Sequence, residues 1–125
     1  MKLARLTDAR LHAVLRKLSA APLPLRVAFK LKGISAKIDE EVKKFEAVRM
    51  EALEKAGKKD EAGKVVVKPD GNVDMDPDKL KEFIAQLNEL GATEVELPTV
   101  KVDDLGDKVQ LSVDDLSLLD GILVE

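Results

Sequence analysis

The sequence predicts an α+β fold. It reads as an N-terminal helical hairpin with one long amphipathic arm, then a small antiparallel β-sheet with one or two further helices. Three observations predict it. Apolar residues recur at helical spacing through residues 7–56. Valine-rich segments flank Asp70-Gly71, a pairing typical of tight hairpins. Two further helix starts stand at Asp76-Pro77 and Ser112. A chain of 125 residues fits one domain, residues 1–125, with the hairpin in 1–57 and the α+β part in 58–125.

The first helix spans 7–20. Thr7 or Asp8 can cap it, and Leu11, Val14, Leu15 and Leu18 make one apolar stripe. Pro22-Leu23-Pro24 ends it, because the residue before a proline is pushed out of the α region. The second helix starts at Pro24 or Leu25 and runs to about Ala56, with Gly57 as its stop. Its residues Ala28, Leu31, Ser35, Ile38, Val42, Phe45, Arg49 and Ala52 follow a heptad-like seam. A second register passes through Val27, Leu31, Ile34, Ile38, Phe45 and Val48. Thirty residues of helix extend about 45 Å, against about 20 Å for the first helix, so part of the stripe needs another partner. The C-terminal half or a second subunit must supply it. That makes Ala28, Leu31, Ile38, Val42, Phe45 and Ala52 candidate oligomer-interface residues and predicts a homo-oligomer. Gly33, inside this helix, suggests a bend or a close crossing.

Val65–Val67 and Val73–Met75 read as hairpin strands about the Pro69-Asp70-Gly71-Asn72 turn. Asp76-Pro77-Asp78 opens a third helix whose apolar stripe is Leu80, Phe83, Ile84, Leu87 and Leu90, ended by Gly91. Thr93–Leu97 alternates as a half-buried strand with Glu94 and Glu96 outward. Val100 and Val102 continue the alternation, and Val109–Leu111 is expected to pair back after a turn at Leu105-Gly106-Asp107. Ser112-Val113-Asp114-Asp115 resembles a capping box and opens a short last helix, with Leu116, Leu119 and Leu123 inward.

Composition removes whole classes of chemistry. There is no Cys, one His, and aromatics amount to three Phe. Disulfides, thiolate metal sites and Cys nucleophiles are excluded, and so is a stacking platform for single-stranded nucleic acid. His12 has no second His or Cys to join it, so a structural role is expected. Acids gather at Asp74-Asp76-Asp78, Asp103-Asp104-Asp107 and Asp114-Asp115. The stretch Asp70–Asp78 lacks the spacing of an EF-hand loop, and turn and cap chemistry accounts for its acids. Gly57-Lys58 and Gly63-Lys64 lack the rest of a P-loop, and Gly33-Ile34-Ser35 lacks the second glycine of a nucleophile elbow. No catalytic residue, metal or cofactor is expected. No stretch reaches about 18 consecutive apolar residues, and Met1–Arg5 lacks the apolar core of a secretory signal. The expectation is an intracellular protein with no membrane partner.

Charge is the most informative feature. Residues 1–37 carry nine Lys or Arg and one acid, Asp8; residues 38–125 carry twelve Lys or Arg and twenty-three acids. Arg26, Lys30, Lys37 and Lys44 fall near one face of the long helix, and Arg10, Arg16 and Lys17 decorate the first. These seven are the candidate sites for an acidic protein surface, nucleic acid or a nucleotide. The competing reading leaves them as a solvated face or pairs them with the chain's own acidic half.

The order of several segments resembles a group of small bacteriophage and prophage proteins of similar length. The segments are Leu23–Leu31, Phe45-Glu46-Ala47-Val48-Arg49, Lys59–Gly63, Asp70-Gly71-Asn72, Glu94–Leu97 and Leu111–Leu116. The resemblance covers nearly the whole chain through short, structural motifs. Relatives often carry an aromatic near the C-terminus, where this chain has Gly121-Ile122-Leu123-Val124-Glu125. The resemblance implies a viral origin, a place in the host cytoplasm or the virion, and no catalytic residues. Together these readings predict a non-catalytic protein that binds another protein, its own copies included, as an assembly or virion component or as an inhibitor of a host system. Binding of nucleic acid or a nucleotide through the basic helices is the alternative. A carboxylate-based, metal-dependent hydrolase built on Asp103 and Asp107 is the third.

Overall fold

The computed structural model describes residues 1–106 and 109–125. One helical turn, α1 (Leu3–Leu6), precedes the hairpin of α2 (Ala9–Ala20) and the 32-residue α3 (Leu25–Ala56). Then come α4 (Pro77–Gly91), β1 (Val100–Lys101), a 3-10 turn (Val102–Leu105), α5 (Val113–Leu118) and β2 (Leu123–Val124).

Local chemistry sets most boundaries. The Asp8 carboxylate caps α2 by accepting from the Arg10 N–H at 2.9 Å. Pro24 precedes α3, and the Gly57 N–H closes it onto the Leu53 carbonyl at 2.8 Å. Pro77 occupies the first turn of α4 behind Asp76. Ser112 and Asp115 form a complete capping box at α5: the Asp115 N–H donates to Ser112 Oγ and the Ser112 N–H to the Asp115 carboxylate. Like α3 and α4, α1 has no side-chain cap hydrogen bond. It is held by long-range contacts: the Leu3 N–H donates to the Thr93 carbonyl at 2.9 Å, and the Val95 N–H to the Met1 carbonyl at 2.9 Å. Lys2 and Glu94 pair antiparallel there, and Val95 and Leu97 turn inward as the alternation predicts.

The sheet differs from expectation. Among the described residues it has two strands, and they are parallel, with Val100 opposite Leu123 and Lys101 opposite Val124. A parallel pair needs a crossover, and the α5-bearing segment supplies it. Val109–Leu111 therefore does not pair back; Val109 and Leu111 instead rest half-buried against the core. The segment around Asp70-Gly71 is antiparallel but makes only single bridges, Lys59 with Val65 and Val67 with Val73. Its turn places Gly71 at φ +90°, and the Asp70 carboxylate accepts from the Asn72 N–H at 3.0 Å.

The core gathers Leu3, Leu6, Leu11, Leu15, Leu18 and the α3 stripe Val27, Leu31, Ile34 and Ile38 with Val95, Val100, Leu105, Leu119 and Ile122. Of the two registers on α3, the one through Val27 and Ile34 is buried, while Ala28 faces solvent and Ser35 is half-buried. Beyond Ile38 the stripe thins: Val42, Phe45 and Ala52 are half-buried. The physical reason is length. α2 offers 12 residues, about 18 Å at 1.5 Å per residue, to an arm of about 48 Å. The distal part of α3 meets α4 through Phe83, and the 58–75 segment folds over its end. A Cβ on Gly57 would stand 2.6 Å from Val73 Cγ1 and 3.0 Å from Val65 Cγ1, so glycine permits that approach. Gly33 marks no crossing, because nothing lies within 4 Å of where its Cβ would be. Leu80 and Ile84 on α4 and Leu116 on α5, expected inward, are exposed. α4 is covered along one narrow line only, and the capping box with Lys17 turns the Asp115 side of α5 toward α2.

Candidate binding surfaces

The seven candidate cations separate into two groups. Four are engaged by the chain itself. The Arg10 guanidinium grips the Asp8 carboxylate with bonds of 3.2 and 2.9 Å. Lys17 reaches Asp115 on α5 at 3.0 Å. Lys37 pairs with Glu41 at 3.1 Å, and Lys44 with Glu40 at 3.3 Å and Glu41 at 3.5 Å. These pairs leave electrostatic signatures. The Arg10 hydrogen bond holds Asp8 below the usual aspartate range, and Asp8 in turn raises Arg10. Lys37 lowers Glu41, and Glu40 raises Lys44. Asp115 is lowered first by the Ser112 N–H and then by Lys17. Lys17, Lys37 and Lys44 thus pair with acids of residues 38–125, as the intramolecular reading has it, whereas Arg10 pairs with Asp8 inside the basic segment.

Arg16, Arg26 and Lys30 form no ion pair among the described residues, and Lys32, which the sequence reading did not select, joins them. Arg26, Lys30 and Lys32 flank two side chains that the sequence reading also missed, Leu25 and Phe29. Leu25 is 90% and Phe29 79% exposed, the former the highest value among the large hydrophobic residues of the described chain. One signal was available. With Val27, Leu31, Ile34 and Ile38 inward, helical geometry puts Leu25, Phe29, Gly33 and Ala36 on the opposite side. All four are exposed, and residues 9–38 contain no carboxylate. The outer face of proximal α3 is therefore apolar along its middle and cationic at its margins.

The interface candidates separate as well. Leu31 and Ile38 are sealed at 2% and 1% exposure inside the chain's own core and are not available to a second subunit in this conformation. Ala28 is exposed, and Val42, Phe45 and Ala52 are half-buried. Ala52 lines an open trough of about 440 Å³ between α3 and α4 together with Val48, Phe83, Glu51, Lys55, Lys79 and Glu82. Its charges alternate in sign, so it has no net preference for an anion or a cation.

The remaining expected sites resolve into structural chemistry. The His12 ring bonds the Leu6 carbonyl through Nε2 at 2.6 Å and so ties α1 to α2. Lys58 stands between Asp74 (3.9 Å) and Asp76 (3.6 Å), where its ammonium offsets their charge. Among the described residues no group of three or more His, Asp or Glu is placed to hold a metal ion. Asp103 is exposed on the 3-10 turn, while Asp107, its expected partner, lies outside the described residues. No helix among them is long and apolar enough to cross a membrane.

Comparison of the chain with protein-family models, curated proteins and solved structures finds no match.

Proposed function

We propose that this protein acts by binding another protein, not by bond chemistry, and that the outer face of proximal α3 is its contact surface. The observation that carries this reading is Leu25 and Phe29 standing in solvent between cations with no carboxylate partner. Exposed aromatic and arginine side chains together are typical anchors of protein interfaces. An assembly component and an inhibitor of a host system both use such a surface. The viral setting is part of the proposal and rests on the resemblance alone. A second reading, binding of nucleic acid or a nucleotide, is favoured by the same unpaired Arg16, Arg26, Lys30 and Lys32.

A photoreactive side chain at position 29 tests the two. The expected outcome is an adduct in cells that protease removes and nuclease leaves intact. A nuclease-sensitive adduct overturns protein binding in favour of the second reading. A metal-dependent hydrolytic activity of the purified protein, lost in Asp103→Asn, overturns both.

A further inference from the structure

The outer face of proximal α3 has a shape as well as a charge. With about 100° of turn per residue, Leu25, Phe29, Gly33 and Ala36 fall in one line along the helix, about 16 Å from end to end. Two large exposed side chains begin the line and two small residues continue it. Leu25, Phe29 and Gly33 make an i, i+4, i+8 ridge whose third member has no side chain. Nothing lies within 4 Å of where a Gly33 Cβ would be, so the ridge gives way to an open notch.

The same geometry sets Arg26 and Lys30 along one margin of the line and Lys32 along the other. None of the three forms an ion pair among the described residues. Acids resume on α3 only at Asp39 and Glu40, beyond the far end of the line. Lys37, further along the margin of Arg26 and Lys30, is already held by Glu41.

The apolar line separates the anionic occupants that such cations could take. A nucleic-acid backbone would meet the cations but bring nothing apolar to Leu25 and Phe29. A membrane would take up those two side chains, yet Gly33 and Ala36 add little to the apolar area on which interfacial binding depends. An extended peptide finds no strand edge to join, because the face is helical. A helix meets every part of it. Apolar residues at helical spacing cover Leu25 and Phe29, one side chain enters the notch at Gly33, and flanking carboxylates face Arg26, Lys30 and Lys32. We infer that the occupant of this face is an acidic amphipathic helix of a partner protein. The inference rests on the protein-binding reading above and names the chemistry of the partner.

Fluorescence anisotropy with the full chain tests it, using two designed helical peptides with the same leucine stripe, one flanked by glutamates and one by lysines. At about 0.05 M salt the glutamate peptide should bind in the micromolar to millimolar range, at least about tenfold tighter than the lysine peptide, and about 0.5 M salt should narrow that gap. Phe29→Ala should weaken binding at least about fivefold. Lys30→Glu with Lys32→Glu should reverse the preference between the two peptides. These positions are exposed, so the helical spectrum should be unchanged in each variant. Gly33→Leu fills the notch and should weaken the peptide contact at least about fivefold, whereas it would strengthen uptake by a membrane. Equal affinity for the two peptides, or no binding of either up to about 1 mM, overturns the inference. Sedimentation of the wild-type chain with phosphatidylserine but not neutral vesicles, strengthened by Gly33→Leu, overturns it in favour of a lipid surface. Self-association of the free chain that Phe29→Ala abolishes overturns it in favour of a second copy. The position-29 adduct separates these failures from failure of the reading beneath. An adduct mapped to a neutral or basic segment of another protein overturns the acidic helix and leaves protein binding in place, while the absence of any protein adduct overturns both.

Discussion

The two halves of α3 are one continuous helix held by different forces. In the proximal half, Val27, Leu31, Ile34 and Ile38 are at most 2% exposed, while Arg26, Lys30 and Lys32 have no ion partner among the described residues. In the distal half the stripe is half-buried, and charge pairs run along the surface: Lys44 with Glu40, Arg49 with Glu46, and Lys55 with Glu51. Spacings of three and four residues are those that reinforce a helix from outside. The lesson is a division of labour. Where packing fixes the helix, its outer charges are not needed for helicity and stay available to a partner. Where packing is thin, the outer charges are spent on the helix itself.

Substitutions can break that comparison, and the largest effect is expected in the core. Ile34→Ala should cost about 3 kcal/mol in urea unfolding, against under about 1 kcal/mol for Val48→Ala in the distal half. Equal costs would dissolve the distinction. Gly57→Ala should cost about 1–3 kcal/mol by driving the 58–75 segment off the end of α3. Amide hydrogen exchange should show that loss as faster opening of residues 58–91 with α2 little changed. Ser112→Ala should cost about 1 kcal/mol through loss of the α5 cap, read as a lowered thermal midpoint.

Acid sharpens the comparison in a predictable direction. Asp8, Glu41 and Asp115 all have lowered pKa values in the folded chain. Their contribution is present above the ordinary carboxylate range and is lost as pH falls through the lowered values, so stability should decline on acidification there. Asp115→Asn should flatten that decline. The smallest effect has the opposite sign. Gly33→Ala adds a methyl to open space on an exposed helical face and should stabilise by about 0.5–1 kcal/mol, measured by thermal unfolding. If the outer face binds a partner, the same methyl alters that contact without weakening the fold.

Much of the helical framework was legible because its signals are local. Asp8, Pro24, Gly57, Asp76-Pro77 and the Ser112 box each act within a few residues of the boundary they set. α1 was not legible, because its single turn rests on Thr93, Val95 and the rest of the core. The strand pairing was not legible for the same reason: Val100 meets Leu123 only after α5 has folded back. Alternation at Val95 and Leu97 revealed which face is buried but not which strand lies beside it. For the binding surface, the cations were visible in the sequence and their partners were not. Arg10 with Asp8 is a neighbour pair, whereas Lys17 with Asp115 joins residues 98 apart. Neither register on α3 contains Phe29, so helical geometry put it outside in both, and the choice between them decided only whether Val27 and Ile34 or Ala28 and Ser35 lay inside.

The clasp between the two ends of the chain bears on how the protein is made. The Arg5 guanidinium donates to the carbonyls of Ser117 and Leu118, both at 3.3 Å, and Leu119 and Ile122 lie fully enclosed in the cluster that α1 and α2 begin. A polypeptide still emerging from the ribosome has its first helices ready and the lid of its interior not yet synthesised. Early helices must therefore wait with oily side chains uncovered until Leu119 and Ile122 arrive. Synthesis of that later segment is the step that lets this core close.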